Sequence, residues 1–401
     1  MSPVKLKEEF VLKGLEPGRC MAALCLEYSV SRQTGYKWID RFKAQGLDGL
    51  EERSRRPHGS PIATSGEVVL QVLQLRGKYG WGPKKLNALL GKRLKPGEKV
   101  PSRRTIARIL ARVGAVKKRR QKRIGSVPAA GAPRPNVSAP NDLWTVDFKG
   151  WWRAKDGARC EPLTVRDGHS RFVLCTVVMA SPNLEPVRKE FERLFEQYGV
   201  PKAILSDNGN PFACTRALAG LTQLSAWWVN LGIEVLHSRP AHPQDNGAHE
   251  RMHVDMLPLE GRSADHRDAQ QLACDRWRHE FNHIRPHEAL EMKTPAEVYK
   301  ATRRTRRQLP KVMTASYPEG AELRRVVRTG CFTWQGRTVF VSRALQGYSI
   351  AVICGPEGQA KVMFHHLVMG QFEIERGRNV EAFPIPECQP TPVPPSADVA
   401  K

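Results

Sequence analysis

The chain has 401 residues, 40% of them hydrophobic, which is enough for two or three domains with their own cores. It contains 64 lysine and arginine residues against 40 aspartate and glutamate residues, giving a formal net charge of +24 at pH 7. Such an excess predicts a polyanionic partner, and nucleic acid is the first candidate. No stretch approaches the roughly 20 apolar residues that a membrane-spanning helix needs, so no membrane partner is expected.

The cysteines and the first residues bear on the cellular compartment. Nine cysteines are scattered along the chain, and none forms a CxxC pair. This pattern favours reduced thiols and argues against a zinc framework. The opening residues "MSPVKLKEEF" lack the apolar segment of a secretory signal, so we expect a cytoplasmic protein.

A helix-turn-helix unit is predicted within residues 1–60. Residues 19–45 have the pattern of a helix, a short turn and a second helix, with Ser31 as an N-cap and Gly46 as a C-terminal stop. The apolar residues expected to form its small core are Leu24, Cys25, Tyr28, Val30, Trp38, Ile39 and Phe42. The outward side chains expected to read the major groove of DNA are Arg32, Gln33, Lys37 and Arg41. The alternative is an ordinary helical hairpin with a solvated basic face.

A second helix-turn-helix unit is predicted over residues 61–116. It contains three amphipathic segments, "GEVVLQVLQLRGKYG", "GPKKLNALLGKR" and "PSRRTIARILARVGAV", and Ser102 is the expected N-cap of the third. Residues 101–123 include ten basic residues and no acidic one. Because a solvated helix face normally mixes both signs, this run predicts phosphate contact. The basic residues expected to contact DNA here are Arg103, Arg104, Arg108, Lys117, Lys118, Arg119 and Arg120.

A linker and an α/β domain follow. Residues 117–140 change from a basic tract to a segment rich in Pro, Gly, Ala and Ser, which predicts a flexible or semi-extended linker. Within residues 141–305, "DLWTVDFKGWW", "EPLTVRDG" and "RFVLCTVVMA" predict three antiparallel strands. A helix, a strand, a helix, a strand and a further helix are predicted after them. This order is typical of an RNase H-like fold.

The remaining residues predict a third kind of structure. Residues 306–380 contain alternating apolar runs that turn at glycines, which indicates a small all-β, barrel-like domain. Residues 381–401 are Pro-rich and are expected to be disordered. The fold class expected from the sequence is therefore multidomain, with α-helical DNA-binding units, an α/β core and a small all-β domain.

Three carboxylates stand within a predicted strand, at the end of another and near the start of a predicted helix. Asp147 lies within a strand, Asp207 ends a buried strand, and Glu250 follows the Asn246-Gly247 turn near the start of a helix. Taken singly, Asp147 could be a solvated strand residue, Asp207 a turn former and Glu250 a charge in the first turn of a helix. Together, in a basic chain, they suggest a cluster. Clustered carboxylates repel one another unless divalent cations lie between them, so such a cluster would require metal.

The chain resembles the DDE insertion-sequence transposases, which have a retroviral-integrase-type catalytic core. The resemblance spans nearly the whole chain, and the order of its motifs makes it specific. Those motifs are "WTVDFKG", "SDNGNPF", "HPQDNGAHERMH" and "FNHIRPHEALEMKTPAEVY". The resemblance implies that Asp147, Asp207 and Glu250 are the catalytic and metal-binding triad. The 42 residues between the last two acids are more than the family usually has, and we expect the extra residues to lie between 213 and 232.

The resemblance also implies a chemistry and a set of partners. Two Mg²⁺ ions, with Mn²⁺ as a substitute, would activate a water or a DNA 3′-OH and stabilise the leaving oxygen. Asp147 would bridge both ions. The expected partners are double-stranded DNA, both as terminal repeats of the mobile element and as target, and further copies of the chain assembled on DNA. The alternative function is that of a catalytically silent, sequence-specific DNA-binding regulator derived from a transposase.

Overall fold

The computed structural model describes most of the chain, in two compact units formed by residues 1–66 and 67–401. The described residues are 3–52, 63–116, 137–214, 217–239, 243–260, 264–301, 317–355, 358–374 and 379–382. The predictions made for Lys117, Lys118, Arg119 and Arg120, for most of the linker and for the Pro-rich tail lie outside these residues. No described helix is both long and apolar enough to cross a membrane.

The first unit is a bundle of three helices, one more than the sequence predicted. Its helices are α1 (Pro3–Gly14), α2 (Met21–Glu27) and α3 (Arg32–Gln45). Helix α1 was not predicted, yet its Phe10 and Val11 are fully buried in the core that α2 and α3 share. A side chain at Gly35 would place its Cβ only 2.7 Å from the Phe10 ring, so only glycine allows α1 and α3 to approach this closely. The predicted core residues all belong to this cluster.

Both ends of α3 were predicted from single residues. The Ser31 hydroxyl accepts a hydrogen bond from the Thr34 amide at 3.1 Å, as an N-cap should. At the other end, Gly46 has a φ of 61°, a conformation that glycine adopts without strain. Both predictions are confirmed.

The second helical region contains the three predicted helices. They are α4 (Gly66–Tyr79), α5 (Pro83–Arg93) and α6 (Arg103–Arg112). The Ser102 side chain accepts from the Thr105 amide at 3.2 Å and caps α6 as expected. The apolar faces of these helices meet in one core, to which Val72, Leu86, Leu90 and Ile106 contribute fully buried side chains.

A mixed sheet with helices on both faces forms the next domain, and this confirms the predicted α/β core. Its strands are β1 (Leu143–Phe148), β2 (Trp152–Arg153), β3 (Arg159–Asp167), β4 (Val173–Met179), β5 (Ala203–Ser206) and β6 (Glu234–His237). Strand β3 pairs antiparallel with β1, β2 and β4, whereas β5 pairs parallel with β1 and β6. The helices are α7 (Leu184–Tyr198), α8 (Gln223–Asn230), α9 (Gly247–Glu260), α10 (Arg267–His279) and the short α11 (Pro295–Val298).

The two faces of this sheet bury different helices. On one face, Trp144 of β1 packs with Phe191 of α7 and Trp228 of α8 in the largest apolar cluster. On the other face, Cys160 of β3 meets Cys274 of α10, and α9 contacts β1. The three candidate acids lie on this second face, where the strands of the sheet meet the start of α9.

The C-terminal domain is all-β, as predicted, but its described strands form two small sheets. The strands are β7 (Glu322–Arg325), β8 (Cys331–Trp334), β9 (Arg337–Phe340), β10 (Ser349–Cys354), β11 (Gln359–Phe364), β12 (Leu367–Glu373) and β13 (Asn379–Glu381). One sheet has the order β12-β11-β10-β7 and the other β13-β9-β8.

The core of the C-terminal domain continues into the α/β domain. Leu221, Ala226 and Val229, around and within α8, belong to the same buried cluster as Phe332 and Phe364 of the β domain. This contact involves the segment 213–232, where the extra residues were expected. The described part of that segment includes a short helical turn at 218–220 followed by α8.

Candidate active site

Asp147 lies on β1, and Asp207 directly follows β5, the parallel strand beside it. Strand β1 pairs with β5 so that Leu143 is opposite Ala203 and Thr145 is opposite Leu205. Each of these pairs is 60 residues apart. The same offset, continued beyond the paired residues of both strands, aligns Asp147 with Asp207, which follows β5 directly. Because paired strands lie about 4.8 Å apart, the two carboxylates leave the sheet at the same edge. The fold thus explains why an aspartate stands within a strand.

Glu250 lies in the first turn of α9, and its side chain is exposed. The face of the helix that carries it is turned toward β1, since His253, three residues later, contacts Asp147. Residues on the first turn of a helix project from a rigid element, as ligands of a catalytic metal must. The three predicted acids therefore come to one edge of the sheet.

The electrostatics of Asp147 reflect its neighbours. Burial raises the pKa of Asp147, the carboxylates of Asp207 and Glu250 raise it further, and the result is about 7. The Phe148 amide and the Lys149 ammonium oppose this shift. A partly buried acid beside two carboxylates is a place where a cation would be strongly favoured. Within the described residues, however, no three His, Cys, Asp or Glu side chains are already arranged as a metal-binding group.

Two histidines of α9 anchor the helix to the sheet beneath the acids. The His249 ring is fully buried and shares hydrogen bonds of 2.7 Å with the hydroxyls of both Thr145 and Thr164. His253 shares a further one of 2.8 Å with Thr164. Burial lowers the pKa of both histidines, that of His253 to about 4, so neither carries a charge at neutral pH. Histidines at these positions could equally have contacted phosphate, and the structure gives His249 a packing role.

Arg166 makes a second anchor that the sequence did not reveal. Its side chain is almost fully buried, and its Nη1 donates to the Ala248 carbonyl oxygen at 2.6 Å. This hydrogen bond fixes the first turn of α9, which carries Glu250. The relevant signal in the sequence was weak, because an arginine within a strand is ordinarily an exposed residue.

The other acids between Asp207 and Glu250 have different surroundings. Asp245 accepts from the backbone amide, the Nε and the Nη2 of Arg239, with the two side-chain contacts at 2.9 Å. It therefore connects Arg239, which follows β6, with the turn that precedes α9. Glu234 lies at the start of β6 with an exposed side chain.

Within the described part of the chain, the residues predicted to contact DNA lie on two exposed helix faces. On α3, Arg32, Gln33 and Lys37 are exposed and Arg41 is partly so. The last three line an open depression together with residues that were not predicted, namely Thr34, Tyr36 and Asp40. Their spacing of three and four residues, which places side chains on one helix face, was the signal that could have identified them.

On α6, the predicted residues Arg103, Arg104 and Arg108 are all exposed. The neighbouring helix α5 instead faces the α/β domain. Its Lys84 pairs with Glu288 at 2.9 Å, and its Lys92 pairs with Glu297 at 2.7 Å. Lys84 and Lys92 of α5 thus hold the helical region against the core, whereas Arg103, Arg104 and Arg108 of α6 stay exposed.

Comparison with known proteins identifies the parts of the chain. The homeodomain-like domain family matches residues 34–110, and two integrase core domain families match residues 137–243 and 231–295. The insertion element IS407 uncharacterized 31.7 kDa protein of Burkholderia multivorans is 27% identical over 197 residues. That alignment covers 48% of this chain and 67% of the relative.

Two solved integrase structures are among those to which the chain is similar. The HTLV-2 integrase catalytic core domain in complex with magnesium, in its trimeric form, has a TM-score of 0.30 at 14% identity and covers 41% of this chain and all of that one. The simian T-cell lymphotropic virus intasome in complex with the PP2A regulatory subunit B56 gamma has a TM-score of 0.36 at 14% identity, covering 74% of this chain and 94% of that one.

The family matches place a homeodomain-like region before an integrase core, in the order that the motifs had indicated. The relative comes from an insertion element and aligns with nearly half of the chain. The chain therefore combines a homeodomain-like region with an integrase core domain, and it is similar to a protein of an insertion element.

Proposed function

We propose that the protein is a DDE transposase, which binds the terminal inverted repeats of its mobile element and catalyses DNA cleavage and strand transfer. The observation that supports this most directly is the shared register of Asp147 and Asp207 at one sheet edge, with Glu250 on the adjoining first turn of α9. A carboxylate set so placed on rigid elements suits phosphoryl transfer. A DNA-binding regulator would have no need of it.

The donor chemistry of the site fits a hard divalent cation. All three acids offer oxygen ligands, which Mg²⁺ and Mn²⁺ prefer. The pKa of about 7 at Asp147 indicates a carboxylate whose charge is poorly compensated by the protein itself. Asp147, Asp207 and Glu250 would hold two Mg²⁺ ions, which when bound would supply Lewis-acid chemistry for phosphoryl transfer.

The residues of the chain itself then have distinct tasks. His249 and Arg166 fix the start of α9, so that Glu250 keeps its position relative to the strands. His253 stays neutral and contacts Asp147 without neutralising it. Together these contacts hold three carboxylates in place for in-line attack by a water or a 3′-OH, a reaction that needs no covalent protein–DNA intermediate.

The basic helix faces would supply recognition of DNA. Arg32, Gln33 and Lys37 of α3 are suited to base edges in the major groove. Arg103, Arg104 and Arg108 of α6 are suited to phosphates. Two ends of an element must be joined to one target, so we propose that several copies of the chain assemble on DNA.

The experiment that tests this function is cleavage of DNA carrying the element's own ends, with Mg²⁺ and with excess chelator. We expect nicking at the element boundary with Mg²⁺ and none with chelator. Specific binding of the ends without cleavage under any metal condition would instead identify a catalytically silent regulator.

A further inference from the structure

Two consecutive tryptophans follow the strand that carries Asp147, and the fold treats them differently. Trp152 is buried among Cys160, Val178 and Cys274, and its indole N–H points to the Gln270 amide oxygen at 3.4 Å. Trp151 is 54% exposed. Successive residues of an extended chain point to opposite sides, so burial of the second indole turns the first one outward. Trp151 therefore adds little buried apolar area to the core. Its exposed position points to a role other than packing.

Two guanidinium groups lie against the Trp151 ring. The Arg159 Cζ is 4.8 Å from the ring centroid and the Arg153 Cζ is 6.0 Å from it. Both arginines are held in place by other contacts. Arg153 donates to the Gly157 carbonyl oxygen at 2.7 Å, and Arg159 pairs with the largely buried Glu161 at 2.8 Å. The result is an exposed aromatic ring with positive charge fixed beside it.

This cluster lies close to the proposed reaction centre. Trp151 follows Asp147 by four positions, which at about 3.3 Å per residue is at most about 13 Å along the chain. That length corresponds to roughly four base-pair steps of 3.4 Å. Lys149 lies between the two, and its charge is felt at Asp147. A DNA strand whose phosphate is at Asp147 would therefore reach Trp151 within a few nucleotides.

We propose that Trp151, with Arg153 and Arg159, is a stacking site for an unpaired base of the DNA strand next to the scissile phosphate. Every base has a π-face that can stack on an indole, and the arginines would hold the phosphates on either side of that base. Such a site binds DNA with a frayed or overhanging end more tightly than it binds fully paired DNA. This inference rests on the proposed function, since it assumes that DNA lies at the acids.

The test measures binding rather than cleavage, with the full-length chain and end-sequence DNA that is either fully paired or carries a short unpaired overhang at the cleavage position. Trp151→Ala should weaken binding of the overhang DNA roughly tenfold, in line with stacking energies for one base. It should leave binding of the paired DNA within about twofold. Trp151→Phe should restore most of the loss. Leu272→Ala removes a side chain that is 60% exposed on α10 and serves as the control.

A second measurement needs no variant. The fluorescent base analogue 2-aminopurine, placed in turn at each position near the cleavage site, should be quenched by the wild-type chain at one or two positions about four nucleotides or fewer from the scissile phosphate. Absence of quenching at all positions would overturn the proposal. So would equal losses by Trp151→Ala on both DNAs, or a change in oligomeric state with unchanged DNA affinity, which would indicate a protein contact. A wild-type chain that does not cleave DNA would contradict the proposed function, whereas these readouts address the stacking site separately.

Discussion

The His253 Nδ1 lies 3.7 Å from the Asp147 Oδ2, and this contact joins α9 to the strand that carries the first acid. Glu250 precedes His253 by three residues, so both side chains lie on the same side of the helix. The contact therefore indicates which face of α9 is turned toward Asp147. It is the strongest geometric reason to regard Glu250 as the third acid.

Glu250→Gln should abolish cleavage and strand transfer while leaving DNA binding intact. The amide keeps the size of the side chain but removes the charge that a metal ligand needs. Because Glu250 is exposed, the fold should be unaffected. Cleavage of end-sequence DNA with Mg²⁺, measured beside a binding assay, checks both halves of the expectation.

Asp245→Asn and Glu234→Gln are the matched controls for that change, because each also converts an acid between Asp207 and Glu250 into its amide. Glu234 is exposed, and Asp245 holds Arg239 rather than facing the other acids. Both variants should keep substantial activity. An inactive Asp245→Asn that folds and binds DNA would mean that the wrong acid had been chosen.

Asp147→Asn should stabilise the metal-free protein at alkaline pH. The folded-state pKa of Asp147 is about 7, whereas the ordinary value for aspartate is 3.8, so between these values the folded state holds a proton that the unfolded state has lost. The stability of the wild type therefore falls as pH rises through this window, and the asparagine variant avoids that loss. We expect the variant to be more stable by about 1–3 kcal/mol at pH 8 and equal to the wild type near pH 4.

Urea unfolding in the presence of chelator, repeated across this pH range, measures the effect. Added Mg²⁺ should reverse the order at pH 8, because only the wild type then gains a bound cation. A variant that is less stable than the wild type at pH 8 without metal would show that Asp147 is not surrounded by uncompensated negative charge.

Arg32→Ala and Gln33→Ala should relax sequence discrimination on the element ends. Both residues lie on the exposed first turn of α3, where base edges are usually read. Each lost base contact should reduce the preference for the cognate sequence by roughly 1–3 kcal/mol. Binding to cognate and mutated ends, measured at a fixed salt concentration, tests this.

Lys118→Ala and Arg119→Ala should behave differently from the changes on α3. These residues belong to a basic tract in the sequence, so their loss should weaken binding to all sequences alike and reduce its salt dependence. A uniform loss from Arg32→Ala and Gln33→Ala as well would contradict their assignment as base readers.

Mg²⁺ or Mn²⁺ should support cleavage, and Ca²⁺ should not. Calcium accepts more ligands in looser geometry, so it should hold DNA at the acids without aligning the attacking group. Cleavage with each ion at equal concentration, beside binding of the same DNA, checks this. Strong cleavage in excess chelator would refute the metal-dependent chemistry altogether.

Features that depend on a few neighbouring residues were predictable from the sequence. The caps at Ser31 and Ser102 and the strand around Asp147 are set by local hydrogen bonding and by alternation of apolar residues. Helix α1 was missed, because the two residues it buries, Phe10 and Val11, are adjacent and give no helical periodicity by themselves.

Features that depend on distant partners were not predictable. The role of His249 had to stay open, because the two threonines that surround it lie 104 and 85 residues away in the chain. The C-terminal strands were expected to be barrel-like, but the pairing of strands into two sheets is set by long-range contacts that alternation does not encode. The triad itself stays a prediction that the register of β1 and β5 supports.

The apolar cluster shared by α8 and the C-terminal strands has a practical consequence for dissecting the protein. A fragment that ended near residue 305 would expose Ala226 and Val229 to water, although both are fully buried in the whole chain. Loss of activity in such a truncation would reflect exposed apolar surface and partial unfolding as much as a missing DNA contact. Recombination of modules between transposases would meet the same obstacle, because a new C-terminal domain must match the surface of α8 as well as fold by itself.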